Sequence, residues 1–200
     1  MKYPAFFDQV ESIKLQDPLS NFLGAFENGE LEMTYLECVK QAGHSCPTVA
    51  GAYLMALKGL ESLYPDALPQ RGYVKVEMKD SETHGVTGVI CNTVAFIVGA
   101  SGAGGFKGLQ GNMSRNDLIT YDVDITREIR LTRIDTGASV EIDYDPSSIA
   151  PSADMQPLMG KMMQQIATDE EKRAFGLLWQ ERVGKILLGK ENWNTIITLS

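Results

Sequence analysis

Residues 41–65 read QAGHSCPTVAGAYLMALKGLESLYP, and this stretch contains a long, mostly apolar segment. From Pro47 onward its apolar side chains cover most of the circumference of a helix, which predicts a helix that is buried on nearly all sides. Proline suits the first helical turn, because its missing N–H would have no partner there. We therefore expect a central helix that begins at Pro47, ends around Tyr64-Pro65, and carries GHSCP at its start.

The segments that follow this helix predict an α+β fold. Residues 71–80 alternate apolar and charged side chains, as a half-buried strand does. Residues 86–100 form an apolar run whose length favours a buried helix. Residues 117–124, 128–134 and 138–145 alternate as strands, and Asp135-Thr136-Gly137 joins the last two as a hairpin turn. The predicted fold is α+β, with helices on a mainly antiparallel or mixed sheet and a C-terminal helical appendage.

The two ends of the chain read as helical. At residues 5–15 the apolar spacing predicts a short helix, Asp17-Pro18 marks a break or a new helix start, and residues 29–43 predict another helix that ends near Gly43. After a Pro- and Ser-rich linker, Met155–Gln165 predicts a helix, and Thr168 with Glu171 forms a capping box for a helix that ends at Gly189. We therefore predict a core domain at 1–150 and a helical extension at 151–200, which packs on the core or on a second subunit.

Composition limits the classes of function. Two hundred residues suffice for one well-cored domain. The net charge of -8 argues against nucleic acid and gives no support for an anionic membrane surface. No apolar run is long enough to cross a membrane, the N-terminus turns acidic too early for a signal peptide, and we expect a cytoplasmic protein. Three scattered cysteines do not make a disulfide framework; they indicate core residues, metal ligands or nucleophiles.

His44 and Cys46 are the strongest candidates for chemistry. Imidazole and thiolate are preferred ligands of zinc and similar divalent ions, and an H-x-C pair can direct both donors at one ion. The start of a helix also favours a thiolate at Cys46. His84, the only other histidine, follows a predicted strand on a loop and is the third candidate ligand. Cys91 is a fourth, with a small core residue as its alternative. For His44 and Cys46 the alternative is a capping or core role.

The glycine-rich loop at residues 99–112 has a weaker signal for a ligand. It contains neither a P-loop motif nor a G-x-G-x-x-G motif. Exposed backbone amides beside Lys107 would suit an anion, so Lys107 is a candidate cofactor-binding residue. The alternative is a loop with a purely structural role.

At residues 42–63 the chain resembles the FmdE-like family of formylmethanofuran dehydrogenase proteins, whose members carry a pattern close to H-G-H-x-C-P-G-x-x-x-G-Y before an apolar helix. His44, Cys46, Pro47 and Tyr53 match this pattern, while Ala42 and Thr48 replace its first histidine and its second glycine. A second family block resembles THGVTGVICNT, with His84 at the position of a family cysteine. That exchange keeps a metal donor. The tail FGLLWQERVGKILL is similar to the tail of longer bacterial members.

The resemblance implies an α+β homodimer with a metal ion, zinc or another divalent transition metal, held by histidine and cysteine. It does not imply the parent complex's reduction of carbon dioxide onto methanofuran, because three scattered cysteines cannot hold an iron–sulfur cluster. We expect an accessory or small-molecule-binding role in anaerobic one-carbon or redox metabolism.

Two alternatives stay open. One is a metal-dependent enzyme with an open coordination position and Asp80 or Glu82 as acid or base. The other is a thiol enzyme that uses Cys46 as its nucleophile, with His44 beside it.

Overall fold

The computed structural model describes residues 2–200 and contains helices on one face of a mixed sheet. The helices are α1 Pro18–Phe22, α2 Tyr35–Ala42, α3 Pro47–Leu63, α4 Thr87–Val98, α5 Met155–Met163, α6 Asp169–Leu188 and α7 Trp193–Ile196. The strands are β1 Ile13–Gln16, β2 Glu30–Met33, β3 Val74–Met78, β4 Ile119–Thr120, β5 Ile129–Arg133, β6 Ser139–Tyr144 and β7 Ile197–Leu199. Single 3-10 turns lie at Ala5–Gln9, Glu27–Gly29, Pro146–Ser148 and Lys190–Asn192.

The main sheet has five strands in the order β4-β3-β5-β6-β7. Only the β3–β4 pair is parallel, and the other neighbours are antiparallel. Alternate residues of β3, β5 and β6 point inward and are buried, while the residues between them are polar and face outward. The sheet therefore buries one face, as the alternating sequence pattern predicts. The predicted α+β fold with a mixed sheet is confirmed.

Helix α3 lies at the centre of the core, as its sequence predicts. Twelve of its seventeen residues are buried. It packs on β6 on one side and on α2, α4 and α6 on others. Two glycines bring it close to the sheet, because a methyl group at Gly51 would overlap the Tyr144 ring and one at Gly59 would overlap Leu131 and Ile142. Its predicted start at Pro47 and end before Tyr64 are confirmed.

The helical prediction for the first forty residues is only partly right. Residues 5–9 form a short 3-10 turn, and Ile13–Gln16 form a strand instead of the end of a helix. Glu30–Met33 form its antiparallel partner, so the predicted helix at 29–43 begins only at Tyr35. Helical spacing of the apolar residues misled here, because pairing between two short strands is not visible within either of them. The helix start at Asp17-Pro18 and the helix end at Gly43 are confirmed.

The last fifty residues contain the predicted helices and also elements that the sequence did not predict. The capping box of α6 at Thr168 and Glu171 is confirmed, and Gly189 is its C-cap residue. Beyond it, α7 and β7 return to the core, where β7 pairs with β6. Val183, Ile186 and Trp193 belong to the same buried cluster as α3. The extension thus packs on the core of its own chain, and the boundary at residue 150 stays a prediction. Among residues 2–200, no helix is both long and apolar enough to cross a membrane.

Candidate metal centre

Four chain segments meet at one end of the sheet. Met78 at the end of β3 pairs with Ile129 at the start of β5, and Ile129 pairs with Ile142 near the end of β6. The hydroxyl of Tyr144, the last residue of β6, donates a hydrogen bond to the Pro47 carbonyl at 2.9 Å, which places the start of α3 at the same end. The loop from β3 to α4, with Asp80 and His84, also leaves from this end.

The turn between α2 and α3 carries His44 and Cys46. Gly43 ends α2 in the left-handed conformation, with φ 78°, which glycine adopts without steric cost. Cys46 is the N-cap of α3, and its sulfur accepts the Val49 N–H at 3.4 Å. Cys46 is only 9% exposed, so its thiol lies at the inner end of the turn.

The His44 ring is exposed, and one of its nitrogens is already engaged. Its Nδ1 lies 3.0 Å from the Ala42 carbonyl oxygen, to which it donates in the tautomer that carries a proton there. Nε2 then keeps its lone pair and is available to a metal ion. No hydrogen bond joins this ring to the Cys46 thiol in the part of the chain that the structure describes.

His84 has the same arrangement on the neighbouring loop. Its Nδ1 lies 3.1 Å from a carboxylate oxygen of Asp80, and the His84 side chain is 70% exposed. A metal-binding histidine typically donates its other ring N–H to a carboxylate or a carbonyl, which fixes the tautomer and raises the basicity of the ligating nitrogen. Asp80, predicted as an acid or base, therefore has a second role available, as the partner of His84.

Cys91 and Cys38 lie inside the core. Cys91 is fully buried in α4, and burial raises the pKa of its thiol. Cys38 in α2 is equally buried, and burial raises the pKa of its thiol to about 12. A raised pKa opposes the thiolate that binds metals. Cys91 is thus enclosed in the core while the two histidines are exposed, and its role as a ligand stays a prediction.

Lys107 lies near the opposite end of α4 from His84. The twelve residues of α4 span about 18 Å, and the glycine-rich loop follows its C-terminus. The Lys107 side chain is exposed. The loop is closed by its own backbone bonds, including Ser101 N–H to Arg115 and Arg115 N–H to Phe106. Lys107 as a cofactor-binding residue stays a prediction, on a loop separate from the metal candidates.

Several residues at the candidate centre had no signal in the sequence. Burial raises the pKa of the Tyr144 hydroxyl, while the nearby Arg182 lowers it and Cys46 raises it further. Burial also raises the pKa of Glu128, with Asp143 and Asp80 adding negative charge beside it. Glu128 thus joins Asp80 in an acidic group at the end of the sheet.

A network of hydrogen bonds joins Ser45, in the middle of the turn, to Tyr35 of α2 and to α6. The Ser45 hydroxyl donates to Gln180 Oε1 at 2.9 Å, so the buried Tyr35 hydroxyl, 2.9 Å from Ser45 Oγ, must be the donor in that contact. The Ser45 carbonyl accepts from Trp179 Nε1 at 2.9 Å and from Gln180 Nε2 at 3.2 Å. These partners lie up to 135 residues away in the sequence, which no local pattern reveals.

The described residues contain no group of three histidine, cysteine, aspartate or glutamate side chains that could hold a metal ion together as they stand. The structure provides the His44–Cys46 turn and, separately, the Asp80–His84 pair. A complete ligand shell needs at least one further donor to approach the turn.

Comparison with known proteins identifies the family. The model of the FmdE family, described as FmdE of the molybdenum formylmethanofuran dehydrogenase operon, matches residues 42–192. The chain belongs to the FmdE family. The match begins at the His44–Cys46 turn and runs through α6, so it includes both the turn and the helix that contacts it. Neither a curated protein nor a solved structure matches the chain.

Proposed function

We propose that this FmdE protein binds one divalent transition-metal ion, most suitably zinc, through His44, Cys46 and His84. The observation that carries the proposal is the shared arrangement of the two histidines. Each Nδ1 contacts an acceptor oxygen, on Ala42 and on Asp80, and in the neutral tautomer that donates through Nδ1 each ring directs its Nε2 lone pair away from that oxygen. With the Cys46 sulfur at the start of α3, these donors match the nitrogen and sulfur preference of zinc.

The proposal includes a movement of the His84 loop. The start of α3 holds Cys46 in place, whereas the His84 side chain is largely exposed and contacts the Asp80 carboxylate. Binding of the ion at the turn then draws the His84 ring inward. Three protein donors leave a fourth position for water or for a small-molecule ligand.

The biological role follows from the family. We propose an accessory, small-molecule-binding role in one-carbon or redox metabolism, in line with the operon named in the family description. We also propose a homodimer in the cytoplasm. Exposed apolar residues on the C-terminal helices support a partner surface, because Leu177 is 75% and Met163 76% exposed.

A metal-dependent enzyme is the second candidate, and Glu128 favours it. This carboxyl lies at the same end of the sheet, with its pKa raised by burial and by Asp143 and Asp80. A carboxyl with a raised pKa near a metal ion suits proton transfer to a substrate. A thiol enzyme has less support, since His44 contacts Ala42 rather than the Cys46 thiol.

Elemental analysis of protein purified without chelators tests the metal proposal. We expect about one zinc ion per chain in the wild type and a loss of at least tenfold in occupancy in Cys46→Ser and His84→Ala. Cys38→Ala is the matched control, because it removes a buried thiol of α2 that is not a proposed ligand, and its metal content should equal that of the wild type. Metal-free wild-type protein that stays metal-free in added zinc would contradict the proposal.

A further inference from the structure

The residue between the two candidate ligands of the turn is bonded to α6. Ser45 directs its carbonyl at Trp179 and Gln180 and its hydroxyl at Gln180. The Gln180 amide thus donates to the carbonyl and accepts from the hydroxyl of one residue. This double contact fits one orientation of the amide only, because a flipped amide would place two acceptors together.

The bonds to Ser45 control the direction of Cys46. A peptide group is planar, so the plane that carries the Ser45 carbonyl also contains the Cys46 nitrogen and Cα. Rotation of that plane would turn the Cys46 sulfur. The next carbonyl but one, that of Pro47, is bonded to the Tyr144 hydroxyl. Side chains from α6 and from β6 therefore fix the backbone on both sides of Cys46.

Helix α6 holds its two hydrogen-bond donors, Trp179 and Gln180, in fixed positions. It is a twenty-residue helix with a capping box at its start and buried Val183, Ile186 and Leu187 on its inner face. The Trp179 ring packs against the Phe175 ring, with 5.6 Å between the ring centroids, and against the buried hydrophobic core. An indole held in this way keeps its N–H aimed at the Ser45 carbonyl without a further loss of side-chain entropy.

We infer that Trp179 and Gln180 are positioning residues of the metal centre, which hold the Ser45 peptide so that His44 and Cys46 present their donors to one ion. This inference rests on the proposed metal site and extends it to α6. Partners one shell beyond the ligands typically change metal affinity by about 10- to 100-fold when they are removed. By linkage, the bound ion in turn stabilises the contact between α6 and the turn.

The chain offers a matched pair of tryptophans for the test. Trp193 is the only other tryptophan, and its indole N–H donates to the Ile186 carbonyl at 3.1 Å, within the C-terminal segment. In Trp193→Phe, Trp179 is the sole tryptophan, and added zinc should change its emission with a stoichiometry of about one ion per chain. In Trp179→Phe, emission from Trp193 should stay constant during the same titration.

Affinity gives the second readout. Zinc competition against a chromophoric chelator should show a loss of about 10- to 100-fold for Trp179→Phe and for Gln180→Met, which keep the packing but remove the donors. Trp193→Phe should bind as tightly as the wild type. Unfolding curves establish that each variant is folded, and if one is not, the other variant and the emission titration still decide.

The possible results distinguish a failure of the positioning role from a failure of the metal site itself. If the wild type binds one zinc ion while both variants keep its affinity and Trp179 emission stays constant, α6 has no positioning role and the metal site stands. If the wild type binds no zinc, the metal site and the positioning role are both wrong.

Discussion

Gly51 illustrates how one residue sets the position of the candidate centre. The Tyr144 ring occupies the space where a side chain at Gly51 would lie. With the ring in that place, its hydroxyl reaches the Pro47 carbonyl at 2.9 Å and joins β6 to the first turn of α3. The absence of a side chain at residue 51 therefore determines how the sheet meets the turn that carries Cys46.

Gly51→Ala should destabilise the protein, because the added methyl group overlaps the Tyr144 ring. Overpacking of this kind costs about 1 to 3 kcal/mol in the free energy of unfolding. Gly176→Ala is the control within another helix, where no atom lies within 4 Å of the added carbon. Its gain in helix propensity should stabilise the protein by up to about 1 kcal/mol. Urea unfolding measures both, and an equal effect of the two variants would contradict the packing account.

The sequence predicts the candidate site only where its residues are close together in the chain. The H-x-C spacing and the helix start at Pro47 single out His44 and Cys46. Glu128 and Gln180 carry no comparable signal, because Asp80 and Ser45, the residues that join them to the site, lie more than forty positions away from them. The Asp80–His84 contact is an intermediate case. The two residues are only four positions apart, but on a loop this spacing does not determine whether their side chains touch.

The elements that were predicted correctly are those with long, regular patterns. Most residues of helices α3 and α4 are buried, and strands β3, β5 and β6 alternate over five or six residues. Strands β1 and β2 have four residues each and β7 has three. Segments this short depend on their pairing partner for stability, so their own residues do not distinguish strand from helix.

Thr168→Ala tests the start of α6. The Thr168 hydroxyl accepts the Glu171 N–H at 3.2 Å, and the Glu171 carboxylate accepts the Thr168 N–H at 2.9 Å. Loss of the cap should lower the free energy of unfolding by about 1 kcal/mol. Thr168→Ser keeps the hydroxyl and should behave as the wild type. Thermal unfolding distinguishes them, and equal losses in the two variants would mean that the hydroxyl does not cap the helix.

At the scale of the whole molecule, one buried carboxylate joins three distant segments. Asp17 is 2% exposed and contacts Arg71 at 3.2 Å and Arg115 at 2.5 Å. Arg71 also donates to the carbonyls of Phe96 and Ile97 at the end of α4. The start of α1, the approach to β3 and the segment just after the glycine-rich loop are thereby held together at the end of α4 away from the metal candidates.

The ion pairs of Asp17 should make the free energy of unfolding depend on pH. Burial alone would raise the pKa of Asp17, but the Ser20 N–H and the two guanidinium groups outweigh it, so the pKa lies below the ordinary 3.8. A lowered pKa means that the stabilisation is complete above about pH 4 and disappears as the pH falls through the folded-state value. Asp17→Asn keeps the cap to Ser20 but removes the charge, and should cost about 3 to 5 kcal/mol at pH 7.

Urea unfolding between pH 7 and pH 2.5 measures this dependence. The difference between wild type and Asp17→Asn should be constant above about pH 5 and should shrink below about pH 4. Asp135→Asn, which removes a surface partner of Arg133, should change the unfolding free energy little at any pH. A difference that stays constant down to pH 2.5 would show that the charge of Asp17 does not stabilise the fold.

The bond between Ser45 and Trp179 joins residues 134 positions apart, and this separation has a consequence for biosynthesis. At about 5 to 20 residues per second, a ribosome needs roughly 7 to 27 seconds to extend the chain from one to the other. Throughout that interval the nascent Cys46 lacks α6, and it also lacks β6 until Tyr144, 97 positions after Pro47, has been made. The thiol is therefore open to oxidants and to metal ions while the chain is still being made, and in the proposed role of metal ligand it must stay reduced until translation is complete.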